Sequence, residues 1–255
     1  MSHSGVVDAG PAMPMDGMLL VHKPAGMTSH DVVEVVRRKL GIRRVGHTGT
    51  LDPMAEGLLV LLVGEATKQQ QALQRHEKTY EAVLRLGEQT DTGDLTGRTI
   101  RTALVPRIEE HRIVSIFDSL HGPLTQVPPA YSAIKVQGRP AYWWACQQRP
   151  VTLAARTVYV KALELVEVYQ GRIAFRVHCS AGTYIRTLAE EIAERLGTVG
   201  HLTQLVRVRI GDWSIDQAKS LSWIREAQQD EVIRELSSAV LFSTSQQRSS
   251  QPTHQ

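Results

Sequence analysis

Asp52 is the first residue of this chain whose setting suggests chemistry. It stands in Gly46-His47-Thr48-Gly49-Thr50-Leu51-Asp52-Pro53, a loop with two glycines and a proline directly ahead of an apolar run. A loop held rigid yet exposed can present a carboxylate as a nucleophile. An Asp-Pro pair equally starts a turn, and the local sequence leaves both readings open. Arg186 falls in the first turn of a helix expected over Thr183 to Leu196, where the macrodipole disfavours a cation. Such a placement points to a functional demand, with a solvated arginine as the alternative. Lying beside an apolar stripe, Arg186 would need a carboxylate partner. Tyr80 sits on the apolar face of an alternating strand, a position that also suits a core aromatic.

Other chemistries find less support. His47 and Asp52 have no third metal ligand at suitable spacing, so no metal is expected. No Gly-x-Ser-x-Gly elbow, dinucleotide-binding glycine run or phosphate-binding Gly-Lys-Ser/Thr loop is present. Cys179 on an apolar strand face reads as structural. The run Asp91-Thr92-Gly93-Asp94-Leu95-Thr96-Gly97 lacks the glutamate of a calcium loop and reads as a turn.

The elements that must position these residues follow from periodicity. A strand over Gly17 to Val21 ends at Lys23-Pro24. A helix over Ser29 to Leu40 is capped by Thr28 or Ser29, carries Val32, Val36 and Leu40 at four-residue spacing, and stops at Gly41. Gly57 to Val63 is a buried strand, and Glu65 to Arg75 a helix. Lys78 to Leu86 alternates as a strand, 88 to 98 is a loop, and Ile108 to Leu120 is a helix. Thr157 to Tyr169 and Arg172 to Cys179 form a hairpin about Gln170-Gly171; Leu202 to Ile210 is another strand and Ser220 to Val240 a weaker helical region. Interleaved strands and helices with prominent hairpins predict an α/β (α+β) domain with a mixed, largely antiparallel sheet flanked by helices.

With 255 residues, 42% apolar and 22% charged, the chain suits one large domain with room for a small appendage. Its longest apolar run, Leu58 to Val63, is far short of the ~20 residues of a membrane span. Residues 1–16 read as a floppy leader and 243–255 as a disordered tail, leaving a body over 17–242. Two cysteines and no signal peptide suggest a reducing, cytoplasmic setting. The net charge of +3 is uneven: Met18 to Thr50 sums to +4, Gly171 to Ile210 to +3, and Asp216 to Val240 to −2. Two basic stretches suit a polyanion, and equally solvated helix faces.

Several blocks together resemble the TruB-type tRNA pseudouridine-55 synthases. Besides the Gly46 to Pro53 loop with Ala55, Gly57 and Leu58, these are Lys23-Pro24-Ala25-Gly26-Met27-Thr28-Ser29, Gly64-Glu65-Ala66-Thr67-Lys68, Lys78-Thr79-Tyr80, and Gly87 with Thr90-Asp91-Thr92. Pro128-Pro129-Ala130-Tyr131-Ser132-Ala133-Ile134-Lys135 with Gly138, and Cys179 to Leu188, complete the series. The resemblance covers about Gly17 to Trp223. It implies a pseudouridine synthase fold and isomerisation of uridine 55 in the T-loop of tRNA, with no metal, nucleotide or redox cofactor.

The resemblance also implies residue roles. Asp52 would be the catalytic carboxylate, kept ionised by Arg186. Tyr80 would lie against the uracil as a proton carrier, with Leu205 beside the base and Lys23 supporting the pocket floor. His47 would fill space left by flipped nucleotides, and Arg43, Arg44, Arg207 and Arg209 would contact phosphates. The region 128–156 would be an RNA-gripping insertion, although Trp143-Trp144-Ala145-Cys146 departs from the family pattern. About 30 residues follow Trp223, too few for the small PUA-like C-terminal domain of many members. The expected partner is the T-arm stem-loop of tRNA, with no membrane, bound by a monomer. An RNA chaperone and a carboxylate hydrolase are the competing functions; the second lacks a second placed carboxylate.

Overall fold

A computed structural model describes residues 15–149 and 151–236. The expectations for 1–14, for 243–255 and for the end of the last helical region lie outside the described residues.

The chain begins with β1 (Gly17–Lys23), α1 (Ser29–Leu40), β2 (Val45–His47) and β3 (Glu56–Val63). Thr28 caps α1 through a capping box with Asp31, and Gly41 closes it at φ 67°. Next come α2 (Gln70–Gln74), β4 (Lys78–Leu86), β5 (Glu88–Thr90), β6 (Thr99–Thr102), α3 (Glu110–Ser119) and β7 (Gly122–Gln126). The expected helix over Glu65 to Arg75 is instead a 3-10 turn, Gly64–Gln69, leading into the short α2. The loop expected over 88–98 contains β5, which pairs with β6 as a separate ribbon.

The region 128–156 carries the small hairpin β8 (Lys135–Val136) and β9 (Arg139–Pro140) with α4 (Ala141–Cys146). Then follow β10 (Arg156–Tyr169), β11 (Arg172–Cys179), α5 (Ile185–Arg195), β12 (Gly200–Ile210), β13 (Trp213–Ser214), β14 (Lys219–Ser220) and α6 (Leu221–Glu226). Residues 229–236 are again helical. Gln170 (φ 45°) and Gly171 (φ 72°) make the expected two-residue turn between β10 and β11.

The main sheet runs β14-β1-β3-β12-β4-β11-β10-β7, with β2 on β3 and β13 on β12. Only the β1–β14 and β3–β12 pairs are parallel, so the sheet is mixed and largely antiparallel. β3 explains its unbroken apolar run by burial on both faces. Leu59, Leu61 and Val63 pack with α1, α6 and residues 232–236; Leu58, Val60 and Leu62 pack with Met18, Ile210 and Trp213. The larger core joins α3 and α5 to β4, β10, β11 and β12. The leader reading stops short of its predicted end: Met15 packs against the first of these clusters, and Asp16 Oδ1 accepts from the Glu65 amide at 2.7 Å.

Candidate active site

β4, α5, β12 and the loop between β2 and β3 converge on one cavity. Asp52 is carried by the loop between β2 and β3. That loop is tied to α1: Ser29 Oγ accepts from the Leu51 amide at 2.8 Å and lies 3.2 Å from the Leu51 carbonyl. Arg186, the second residue of α5, is 3% exposed. Its Nη2 donates to Asp52 Oδ1 at 3.2 Å, and its Nε lies 2.9 Å from Oδ2 as an ion-pair contact off the hydrogen-bond direction. Nη1 donates to the Thr92 carbonyl at 2.7 Å and Nη2 to that of Tyr131 at 2.8 Å. An arginine set against its own helix dipole is thus held by a carboxylate and two carbonyls.

A second carboxylate stands behind it. Asp94 Oδ2 lies 3.8 Å from Arg186 Nη1. Asp94 is buried, and its Oδ1 accepts from Thr92 Oγ1 (2.9 Å), the Thr96 amide (2.9 Å) and Thr96 Oγ1 (2.6 Å). The turn predicted over 91–97 therefore anchors the arginine of the site. Its Thr-x-Asp-x-Thr spacing announces a self-satisfied aspartate, but not what that aspartate faces.

A cavity of about 350 Å³ opens beside the pair. Tyr80, Leu205, Lys78, Arg156, Tyr184 and Arg207 line it together with Asp52 and Arg186. Tyr80 is 9% exposed and Leu205 6%. Lys78 and Arg156 were not among the expected site residues. Lys78 Nζ donates to the carbonyls of Gln74 and His76, both at 2.6 Å. Arg156 lies over the Tyr184 ring at 4.6 Å and donates to the Gly182 carbonyl. A second cavity of about 570 Å³ shares Asp52 and Arg186 with the first and is lined also by His47, His30, Tyr142 and Thr96 among others.

Electrostatics follow from burial. Desolvation raises the Asp52 carboxyl above its ordinary 3.8; Arg186 pulls it down and Asp94 pushes it further up. Burial likewise raises the Tyr80 phenol, opposed by the neighbouring Arg207. Lys23 and Lys78 are each lowered by burial to about 8. Lys23 Nζ sits beneath the loop, donating to Pro24 (2.9 Å), Met27 (2.5 Å) and Pro53 (3.4 Å) carbonyls. His47 is lowered to about 4 by burial and Arg207, so its ring is neutral at pH 7.

The four arginines expected at phosphates part company. Arg43 and Arg209 are exposed. Arg44 is exposed and pairs with Glu65. Arg207 does not belong with them: it is 1% exposed, and its guanidinium donates inward to carbonyls of β3 and the Asp52 loop. A β-bulge between Arg207 and Arg209 breaks the alternation and turns only Arg209 outward. Among the described residues no group of three His, Cys, Asp or Glu could hold a metal ion, and no helix is long and apolar enough to cross a membrane.

Residues 37–185 match the family described as TruB family pseudouridylate synthase (N terminal domain). A tRNA pseudouridine synthase B of Aromatoleum aromaticum is 48% identical over 208 residues, covering 82% of this chain and 67% of the relative. One from Hydrogenovibrio crunogenus is 42% identical over 210 residues, covering 82% and 69%. Among solved structures, a chain of a Cbf5–Nop10–Gar1 complex matches with a TM-score of 0.66 at 28% identity, over 86% of this chain and 59% of that one. A chain of an H/ACA RNP bound to a substrate RNA containing 2′-deoxyuridine matches with a TM-score of 0.63 at 25% identity, over 87% and 58%. This chain thus spans less than two thirds of those solved chains. Family match and relatives agree with the fold: the chain belongs to the TruB family of pseudouridylate synthases.

Proposed function

We propose that this chain isomerises uridine 55 in the T-loop of tRNA to pseudouridine. The observation that carries the reading is the Asp52 carboxylate, held by the Arg186 fork at the wall of a cavity shared with Tyr80 and Leu205. At about 350 Å³ that cavity is in the range of small-ligand sites, roughly 300–1,000 Å³.

The reaction breaks the N1–C1′ bond and makes a C5–C1′ bond. C5 gives up one proton and N1 gains one, so composition and oxidation state are unchanged and no cofactor is called for. Attack by Asp52 on ribose or on base requires the same thing, an ionised carboxylate. Arg186 supplies it against the upward push of burial. Tyr80 faces the same space and carries the C5 proton. Leu205 packs against the base.

A stacked uridine must leave its helix or loop to reach Asp52. The neutral His47 ring, lining the neighbouring cavity, takes up space vacated by flipped bases. Arg43 and Arg209, with Arg44 beside Glu65, meet T-arm phosphates, making binding salt-sensitive. In this reading the chain acts as a monomer, and a tRNA substrate sets the reaction in the cytoplasm. Mapping pseudouridine in cellular RNA with and without the protein tests the reading. Loss confined to tRNA position 55 is expected; an unchanged position 55 would overturn it.

A further inference from the structure

Arg207 is a buried cation that the reaction above does not use. Its three kinds of nitrogen reach three carbonyls: Nε to Leu58 at 2.8 Å, Nη2 to Gly49 at 3.0 Å and Nη1 to Thr50 at 3.4 Å. Leu58 belongs to β3, while Gly49 and Thr50 belong to the loop that ends in Asp52. Arg207 is also the cross-strand partner of Tyr80 in the β12–β4 register, and both side chains line the cavity. Among the described residues no carboxylate lies within ion-pair distance of Arg207, and its side chain neighbours the Tyr80 hydroxyl.

Burying an arginine without a salt bridge is unfavourable, and a leucine would fill a core position without that penalty. The backbone is shaped to deliver it. A Cβ on Gly57 would lie 2.4 Å from the Arg207 carbonyl oxygen and 2.8 Å from its nitrogen, so only glycine lets β12 run this close to β3. Gly57 has φ +108°, which also favours glycine.

We infer that Arg207 is a positioning residue for the isomerisation: one guanidinium, anchored on β3, fixes the loop that presents Asp52 and stands beside the Tyr80 hydroxyl, so that the two reacting groups keep a fixed separation. Its role is performed from beneath the cavity and not at an RNA phosphate. Its charge also opposes the rise that burial imposes on Tyr80. The inference rests on the isomerase reading of Asp52 and Tyr80. Asp52→Asn with full turnover would remove that reading, whereas a native Arg207 variant would remove this inference alone.

The test compares Arg207→Lys and Arg207→Met with the native chain on a T-arm stem-loop. Lysine keeps charge but cannot bridge three carbonyls. A displacement near 1 Å lowers rates about 10²-fold, so kcat should fall by roughly that factor in both variants while KM stays near native. The slope of log affinity against log salt should also stay native, where loss of a phosphate contact would reduce it by about 1. Native kcat in either variant, or a loss confined to KM with a lowered salt slope, would overturn the inference. So would failure of both variants to fold, which would make Arg207 a stability residue.

Discussion

Arg186 stands between two carboxylates, with Asp52 Oδ2 2.9 Å from its Nε and Asp94 Oδ2 3.8 Å from its Nη1. The nearer carboxylate takes one hydrogen bond and one ion-pair contact and the farther one backs it, so the guanidinium is held from both sides. Arg186→Lys keeps the charge but loses the fork. A kcat loss of about 10²-fold, with stem-loop affinity close to native, is expected in a tritium-release assay. Native turnover would show that a point charge suffices.

Asp94 acts on Asp52 through the same arginine and through its own charge. Removing that charge as Asp94→Asn relieves one of the two influences that raise the Asp52 carboxyl. The proton then leaves Asp52 at lower pH, so the acid limb of the kcat/KM profile should move down. A limb that stays put, or moves up, would separate Asp94 from the ionisation of Asp52.

Tyr80→Phe deletes one oxygen from a buried cavity wall and little else. Proton transfer by a placed side chain contributes roughly 10²–10⁴-fold, and a kcat loss in that range is expected with RNA affinity retained. Equal loss of affinity and rate would make Tyr80 a packing residue.

Lys23 and Lys78 make stability depend on pH. Both are buried and titrate near 8 in the folded chain, against an ordinary 10.5. Between those values the unfolded chain holds more protons than the folded one, so unfolding free energy rises with pH across that window. In Lys78→Met one of the two contributions is gone. Native and variant denaturation midpoints should therefore diverge, native gaining on the order of 1–3 kcal/mol relative to the variant from pH 8 to 10.5. Parallel curves would mean that Lys78 keeps its ordinary affinity for the proton.

How much was legible depended on distance along the chain. α1 could be read whole because its Thr28 cap, valine stripe and Gly41 stop are all local. The β10–β11 hairpin followed from alternation on either side of Gln170-Gly171. Loop and helix position made Asp52 and Arg186 candidates only, with a turn aspartate and a solvated arginine as equal readings, and their roles came from the family resemblance. Asp94 was not a candidate, because its turn satisfies itself locally and its partner lies 92 positions away. Arg207 was misplaced for a related reason. Alternation puts Leu205, Arg207 and Arg209 on one face, and only the bulge, set by pairing with β4, separates the last from the others. The helix expected at 65–75 became a 3-10 turn beside Asp16 and Arg44, contacts that periodicity does not encode.

The most direct measurement is turnover by Asp52→Asn on a T-arm stem-loop carrying uridine tritiated at C5, alongside its affinity for the same RNA. Asparagine keeps the shape and leaves Arg186 a carbonyl to bind, but it is no nucleophile. No tritium release above the uncatalysed background, at an affinity close to native, is the expected result. Release at the native rate would contradict the role of Asp52 and the function built on it.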